Sequence, residues 1–412
     1  MAGTMTAGRP IRRYLIGLIG VAIVALALLV ASQIGTLFPG GAAAATGTPG
    51  PAGEPSPSNV AVQPSTAPTE PPPSPEPTPA LVPAPMTGVL VSPEAAARHP
   101  IAVMVDDQFD ARPQSGFNAA SVVWHAPAEG GIPRYMLIFQ EQIPTDIGPV
   151  RSARQYYIEW AAEWNATYVH HGGSPQALQT LSARGSGQWV WNADGFRWSG
   201  FEGCARCYLW RTTDRFAPHN VYTDGKHLRR LTKRLGAKDE PMDAAWTFGP
   251  DKAAELRPDG GVIKVSYPYE LITYRYDPAT NTYPRYIDGS RQPQVDRADG
   301  EIVAPRNVVI LRMVFGALND GHPEKHRLEA HNIGRGEAWI STGGVTVKGE
   351  WRKKSATAPT RLFGPDGEPI TLTAGQTFVQ VISTAYNFKI RDAEPTAAAA
   401  AFLPKILGLL GA

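Results

Sequence analysis

Cysteine is almost missing from this chain: Cys204 and Cys207 are the only two in 412 residues. That excludes a disulfide-dense scaffold and any metal cluster held by cysteine alone. An excess of charge is missing as well. Lys and Arg number 39 against 37 Asp and Glu, for a formal net charge of +2, and no basic stripe is interleaved with aromatics, so the footprint of a nucleic-acid binder is absent. Spacing assembles no Ser-His-Asp or Cys-His arrangement and no complete ligand set. The reading therefore leans away from an enzyme and expects no metal and no cofactor. Long apolar runs are also missing, with one exception. Tyr14 to Ile34 holds no charged residue and is long enough to cross a bilayer core of about 30 Å as a helix.

Arg9, Arg12 and Arg13 precede that run and no Lys or Arg follows it for many residues. The positive-inside rule then keeps residues 1–13 in the cytoplasm, makes 14–34 a single membrane anchor and places the rest on the extracytoplasmic side of the cell membrane. A cleaved signal peptide is the other reading, since "GAAAAT" at 41–46 offers small residues for cleavage; either way the body is exported. Residues 35–86 read as a disordered linker, and 39–86 carry 15 of the 39 prolines. At about 3 Å per extended residue the linker reaches up to ~140 Å. Export also lets Cys204 and Cys207, in "GCARC", close a small disulfide; a zinc site would need two further ligands from distant histidines.

Residues 87–235 read as an α/β domain. "IAVMV" from Ile101, "SVVWHA" and "RYMLIFQ" are strands bounded by Gly and Pro turns, 155–166 is a helix, and Ser174 caps another that begins at Pro175. Strands this continuously apolar need cover on both faces, which predicts a layered sheet with helices. A polar join at 236–257 leads to a mainly antiparallel β domain at 258–392, built from short alternating runs and turns such as "DPATNT" and "PDGE". In "HPEKHRLEAH", His322 and His326 stand four apart, but Pro323 breaks the zincin order, and His326, Leu328 and Ala330 read as one face of a strand. The apolar tail, 393–412, is too short to span a bilayer.

Polar residues gather at the ends of the first-domain elements, where α/β sheets bind ligands: Asp106, Arg112, Gln114 and Ser115, then Glu129 and Arg134. In "IGPVRSARQYYIEW", Ser152 is placed to cap a helix beginning near Ala153, and Arg151 and Arg154 flank its start. Two readings stand. The arginines form a site for a phosphate, pyrophosphate or carboxylate group, with His170, Gly172, Gly173 and Ser174 as further contacts, or they form an internal salt-bridge cluster with Asp106 and Glu129. A second candidate is "GQWVWNADGFRWSGFEG" at 187–203. Trp189, Trp191 and Trp198 could form a platform for sugar rings or a partner, or could pack in the core, and alternation puts Trp189 and Trp191 on one face.

The runs "ARPQSG" (111–116), "AEGGIPRYMLIFQ" (128–140), "IGPVRSAR" (147–154) and "YVHHGGSPQAL" (168–178), with "GGVTVKGEWRKKS" and "TRLFGPDGEPITLTAGQTFVQV" later, resemble the YerB-like family of bacterial lipoprotein-like chains. That family is defined by a domain of unknown function in two halves, so the resemblance implies a two-part body in the envelope and no settled activity. One departure is the lack of a cysteine to accept a lipid after the apolar run, which leaves a spanning helix in place of the lipid anchor. The architecture is also loosely similar to the LytR-CpsA-Psr ligases, which act on polyprenyl-pyrophosphate carriers, although their Arg-Asp pair is absent after Val150. The expectation is thus a non-catalytic envelope module that binds an anionic or saccharide wall component or an envelope protein. The alternative is an enzyme acting on phosphate-bearing wall precursors.

Overall fold

The three apolar runs of the first half form the strands expected of them: β1 (Ile101–Asp106), β2 (Val122–Pro127) and β3 (Pro133–Phe139), buried at every position. In the computed structural model, which describes residues 80–182 and 189–393, β3 lies between β1 and β2 and is antiparallel to both. The predicted cytoplasmic segment, the membrane anchor, nearly all of the linker and the tail from 394 lie outside the described residues. Among those described, no helix is long and apolar enough to cross a membrane.

Helix α1 (Gln155–Ala162) follows, ending four residues before the predicted boundary, where Asn165 turns the chain with φ 47°. Strand β4 (Thr167–His170) then runs parallel to β1. Helix α2 (Pro175–Ser182) begins as the sequence indicates, with Ser174 Oγ accepting from the Ala177 amide at 3.3 Å. Strand β5 (Trp191–Asp194) pairs parallel to β4. Helix α3 (Gly225–Leu235) is capped by Asp224, which accepts from the His227 amide at 2.7 Å, and it stops at Gly236, whose φ of 98° suits glycine.

The second half contributes β6 (Gly261–Tyr267), β7 (Glu270–Arg275), β8 (Arg285–Ile287), β9 (Asn307–Met313), β10 (Gly334–Thr342), β11 (Val345–Lys353), β12 (Arg361–Phe363), β13 (Thr377–Ser383) and β14 (Phe388–Asp392). Four of these form a separate sheet in the order β8-β7-β6-β14. The other five extend the first-half sheet into one of ten strands, ordered β12-β11-β10-β9-β13-β2-β3-β1-β4-β5. The connection is β13, which pairs parallel to β9 on one side and to β2 on the other, with Thr377 opposite Val122 and Gln380 opposite His125. The two halves read from the sequence therefore share a sheet, and the second is not antiparallel throughout.

One face of the long sheet packs on α1, with the Trp124 and Trp160 rings stacked 4.7 Å apart. The other face is covered by α3 and by the four-stranded sheet, which sets Ile263, Val265 and Ile272 against Val103 and Val123. Both faces are covered, as the apolar strands predict, but a sheet supplies much of the second layer because the β6–β7 hairpin presents an apolar face of its own. Within the predicted join, Thr247–Gly249 pairs parallel with Thr371–Thr373. The "HPEKHRLEAH" expectation needs a similar correction. His326 sits in a left-handed turn after a single helical turn, and the strand starts only at Leu328.

A buried ion pair ties the halves together. Lys353 Nζ donates to Glu163 Oε1 at 2.8 Å and to the carbonyls of Ala358 and Glu159 at 2.6 and 3.3 Å. Glu163 also accepts from the Thr360 amide and hydroxyl at 2.9 and 2.6 Å, and both charged side chains are fully enclosed. Replacing one partner strands the other charge. Lys353→Met should lower stability by about 3–5 kcal/mol in a urea titration, and adding Glu163→Gln should recover part of the loss.

Candidate functional site

Strand β1 ends on Asp106 with Asp107 directly after it, and successive side chains of an extended chain point to opposite faces. Asp106 therefore meets Arg151 Nε at 2.9 Å and His219 Nδ1 at 2.7 Å. Asp107, on the other face, meets His125 Nε2 at 2.7 Å and accepts from Gln114 Nε2 at 3.1 Å, with Arg112 Nη2 at 3.4 Å.

The residues predicted from the strand ends are brought together in three patches. On the Asp106 face, Arg154 Nε donates to Glu129 Oε2 at 2.6 Å, a second Arg154 nitrogen donates to Oε1, and Arg134 Nη2 reaches the same carboxylate at 3.4 Å. Burial works to raise the Glu129 carboxyl, but the charges of Arg134 and Arg154 overcome it and hold the group at about 2. Each guanidinium of the "VRSAR" stretch thus has an internal carboxylate partner, as the salt-bridge reading requires. Ser152 does not cap α1. Its Oγ donates to the His171 carbonyl at 3.1 Å, and the residue preceding the helix is Arg154, without a side-chain cap. The reason is local pairing: the Ala153 amide donates to the Gly172 carbonyl at 2.9 Å, so 151–153 is held extended against the next loop.

Just before that loop, at the end of β4, His170 is enclosed, with Nδ1 2.7 Å from the Gly172 carbonyl and Nε2 2.9 Å from Asn192 Oδ1. Gly172 has φ 75°, and a Cβ there would sit 2.8 Å from the Phe196 ring. Gly173 and Ser174 lead into α2, whose cap Ser174 supplies. Ser115 is buried and its amide donates to Gly148.

The third patch lies around Asp107 and contains groups the sequence did not single out. Glu270, at the start of β7, accepts from Arg112 Nη2 at 2.8 Å through Oε1. Its Oε2 has no hydrogen-bond partner among the described residues and lies 3.8 Å from His125 Nε2. Arg285 sits 4.0 Å from Oε1 and 5.3 Å over the Tyr135 ring, which stacks on His125 at 4.1 Å. Burial, together with the neighbouring Asp107 charge, pushes the Glu270 carboxyl well up. Burial acts on Asp107 in the same direction, but His125 and Arg112 bring it down to about 2. Two adjacent carboxyls are thereby held in unequal protonation states. A cavity of about 340 Å³ opens over them, lined by Arg112, Phe109, Tyr269 and Asp288 as well as the acids. Two strand residues so far apart in sequence leave no spacing signal; the lone histidine inside the apolar run "SVVWHA" was the one visible hint.

A larger cleft, of about 890 Å³, lies where the edge strand β5 meets the end of α1 and the 236–245 loop. Trp189 and Trp191 both line it, as their alternation predicts, along with Trp164, His99, Met242 and Arg361. His99 Nε2 and Trp164 Nε1 have no hydrogen-bond partner among the described residues, although both side chains are buried. Trp198 is not part of the cleft. It packs edge-on to Tyr208 at 5.6 Å, under the guanidinium groups of Arg197 and Arg234. Cys204 and Cys207 form the expected disulfide around Gly200, where any side chain would collide with the Cys207 sulfur.

Residues 86–238 match the N-terminal domain and residues 263–379 the C-terminal domain of DUF3048, each described as a protein of unknown function. "Putative lipoprotein YerB" of Bacillus subtilis strain 168 is 29% identical over 306 residues, covering 73% of this chain and 86% of the relative. The crystal structure of the YerB protein from Bacillus subtilis superposes with a TM-score of 0.63 at 26% identity, covering 74% of this chain and 99% of that one.

The arginine cluster sets an acid limb. Because Glu129 is held at about 2 in the folded chain and titrates near 4.3 when unfolded, its contribution is complete above about pH 4.3 and is lost as the pH falls toward 2. Urea titrations at descending pH should show that loss, and Glu129→Gln should flatten it.

Proposed function

The chain belongs to the DUF3048 family through both of its domains, and from that premise we propose that it is an extracytoplasmic envelope protein that holds a saccharide-bearing wall component in its aromatic cleft. The observation that carries this reading is the pair Trp189 and Trp191, half-buried side by side in the cleft of about 890 Å³, with Trp164 and His99 beside them. Indole faces stack on the C–H faces of sugar rings. Burial holds His99 down at about 4, so it stays neutral at physiological pH and suits an uncharged polyol. The name of its Bacillus subtilis relative, "Putative lipoprotein YerB", is consistent with attachment to a membrane. Here attachment would fall to residues 14–34, with the Pro-rich linker carrying the body outward into the wall; an envelope protein is the other partner such a surface could take.

A second reading, an enzyme acting on phosphate-bearing or polyprenyl-linked precursors, draws on the smaller cavity. Arg112 is placed there beside two carboxyls of unequal protonation, an arrangement suited to moving a proton next to a bound anion.

Titration of the protein with solubilised wall glycan fragments, followed by tryptophan fluorescence, tests the cleft. Trp191→Ala should weaken binding at least tenfold, equivalent to about 1.4 kcal/mol, while Trp198→Ala should leave it unchanged. Equal affinity in wild type and Trp191→Ala would remove the cleft from the account.

A further inference from the structure

Nitrogen Nε2 of His125 points at a carboxylate across 2.7 Å, and what lies between them is set from the other side of the ring. Nδ1 is 3.0 Å from Gln380 Oε1. The amide of Gln380 is held between two tyrosines: its Nε2 donates to the Tyr274 hydroxyl at 2.7 Å, and its Oε1 lies 3.0 Å from the Tyr267 hydroxyl, which is also 3.1 Å from the carbonyls of His125 and Val381. With an amide oxygen as its neighbour, Nδ1 carries the proton, and Nε2 presents its lone pair toward Asp107 Oδ2. A lone pair facing a carboxylate oxygen at that distance is repulsive unless something positive bridges them.

Glu270 supplies the third side. Its Oε2 is 3.8 Å from His125 Nε2 and has no hydrogen bond among the described residues, although the side chain is 1% exposed. A buried carboxyl oxygen that no donor reaches is costly unless it carries a proton, shared with the neighbouring Asp107, or meets a cation. One ligand atom from each of Asp107, His125 and Glu270 lies within 4.8 Å of the other two. Ligand atoms about 2.1 Å from a tetrahedral ion stand about 3.4 Å apart, so the set fits around one small ion after adjustments of well under an ångström per side chain.

We propose that Asp107, His125 and Glu270 form a binding site for a small divalent cation, zinc or manganese, with its open coordination position facing the cavity beneath Phe109 and Tyr269. The mixed set of one imidazole and two carboxylates favours these ions over calcium or magnesium, which take oxygen alone. The surroundings fix the ligands as metal sites require. Gln380 sets the histidine tautomer, Gln114 holds Asp107 Oδ1 at 3.1 Å, and Arg112 holds Glu270 Oε1 at 2.8 Å, which leaves Oδ2 and Oε2 for the ion. Arg112 and Arg285 are nearby cations, but Asp288, 2.9 Å from Arg112, joins the two ligand acids. The reading does not depend on the aromatic cleft.

The test uses the full-length protein in detergent, stripped with a chelator, and titrates Zn2+ against a chromogenic chelator, with Mn2+ followed in parallel by electron paramagnetic resonance. One equivalent should bind wild type and raise its melting temperature. Glu270→Gln, nearly isosteric, and His125→Gln should each weaken binding at least thirtyfold, whereas His322→Ala, at the exposed His322–Glu324 pair, should not change it. Should a variant fail to fold, the stoichiometry and melting shift of wild type still decide. No bound equivalent in wild type, or unchanged affinity in both folded variants, would overturn the proposal and leave a proton as the bridge between His125 and Asp107.

Discussion

Everything distinctive in this molecule depends on where β13 inserts. A strand from near the end of the chain lies between β9 of its own half and β2 of the other, parallel to both and buried at all seven positions. Because parallel neighbours must come from distant segments, this one strand obliges the second half to close back on the first. The closure lays the β6–β7 hairpin over β1 and β2 and carries Glu270 to Asp107 and Gln380 to His125. Neither half holds that cluster alone.

The polar groups follow from the same closure. A carboxylate placed at the end of a central strand is buried whether or not it is useful, and burial of a charge is tolerated only when partners are at hand. Asp106 and Asp107 meet that requirement on opposite faces in different ways. Asp106 is met by Arg151 and His219 from the first half. Asp107 depends partly on the second half, and its neighbourhood retains an oxygen, Glu270 Oε2, that no donor among the described residues reaches. The contrast sets a patch closed by its own ion pairs beside one that keeps an unpaired oxygen.

Much of this was legible in the residues. The continuous apolar runs marked β1, β2 and β3 as strands covered on both faces, Ser174 marked the start of α2, and the alternation of Trp189 and Trp191 placed both in one cleft. What the sequence concealed was pairing across long separations. The run "TFVQVIS" is equally apolar beside a parallel or an antiparallel neighbour, so the shared sheet could not be seen. His125 reads as one polar residue in a core strand, and Glu270 as a hairpin residue; only folding makes them neighbours. Ser152 misled because a serine before an amphipathic run signals a cap, whereas here backbone pairing with Gly172 holds it extended. Trp198 shares composition with the cleft tryptophans but ends the single turn at 195–198, which takes its ring toward Tyr208.

The central claim, that the two halves are one cooperative structure joined through β13, is tested most directly by native-state hydrogen exchange across a denaturant series. Amides of β13, β2 and β9 should exchange only through a common global opening, with the same free energy and the same dependence on denaturant. If the amides of β9 and β13 opened at lower denaturant while those of β1 and β3 stayed protected, the halves would be separate units, and the cluster between Asp107 and Glu270 would lose its structural basis.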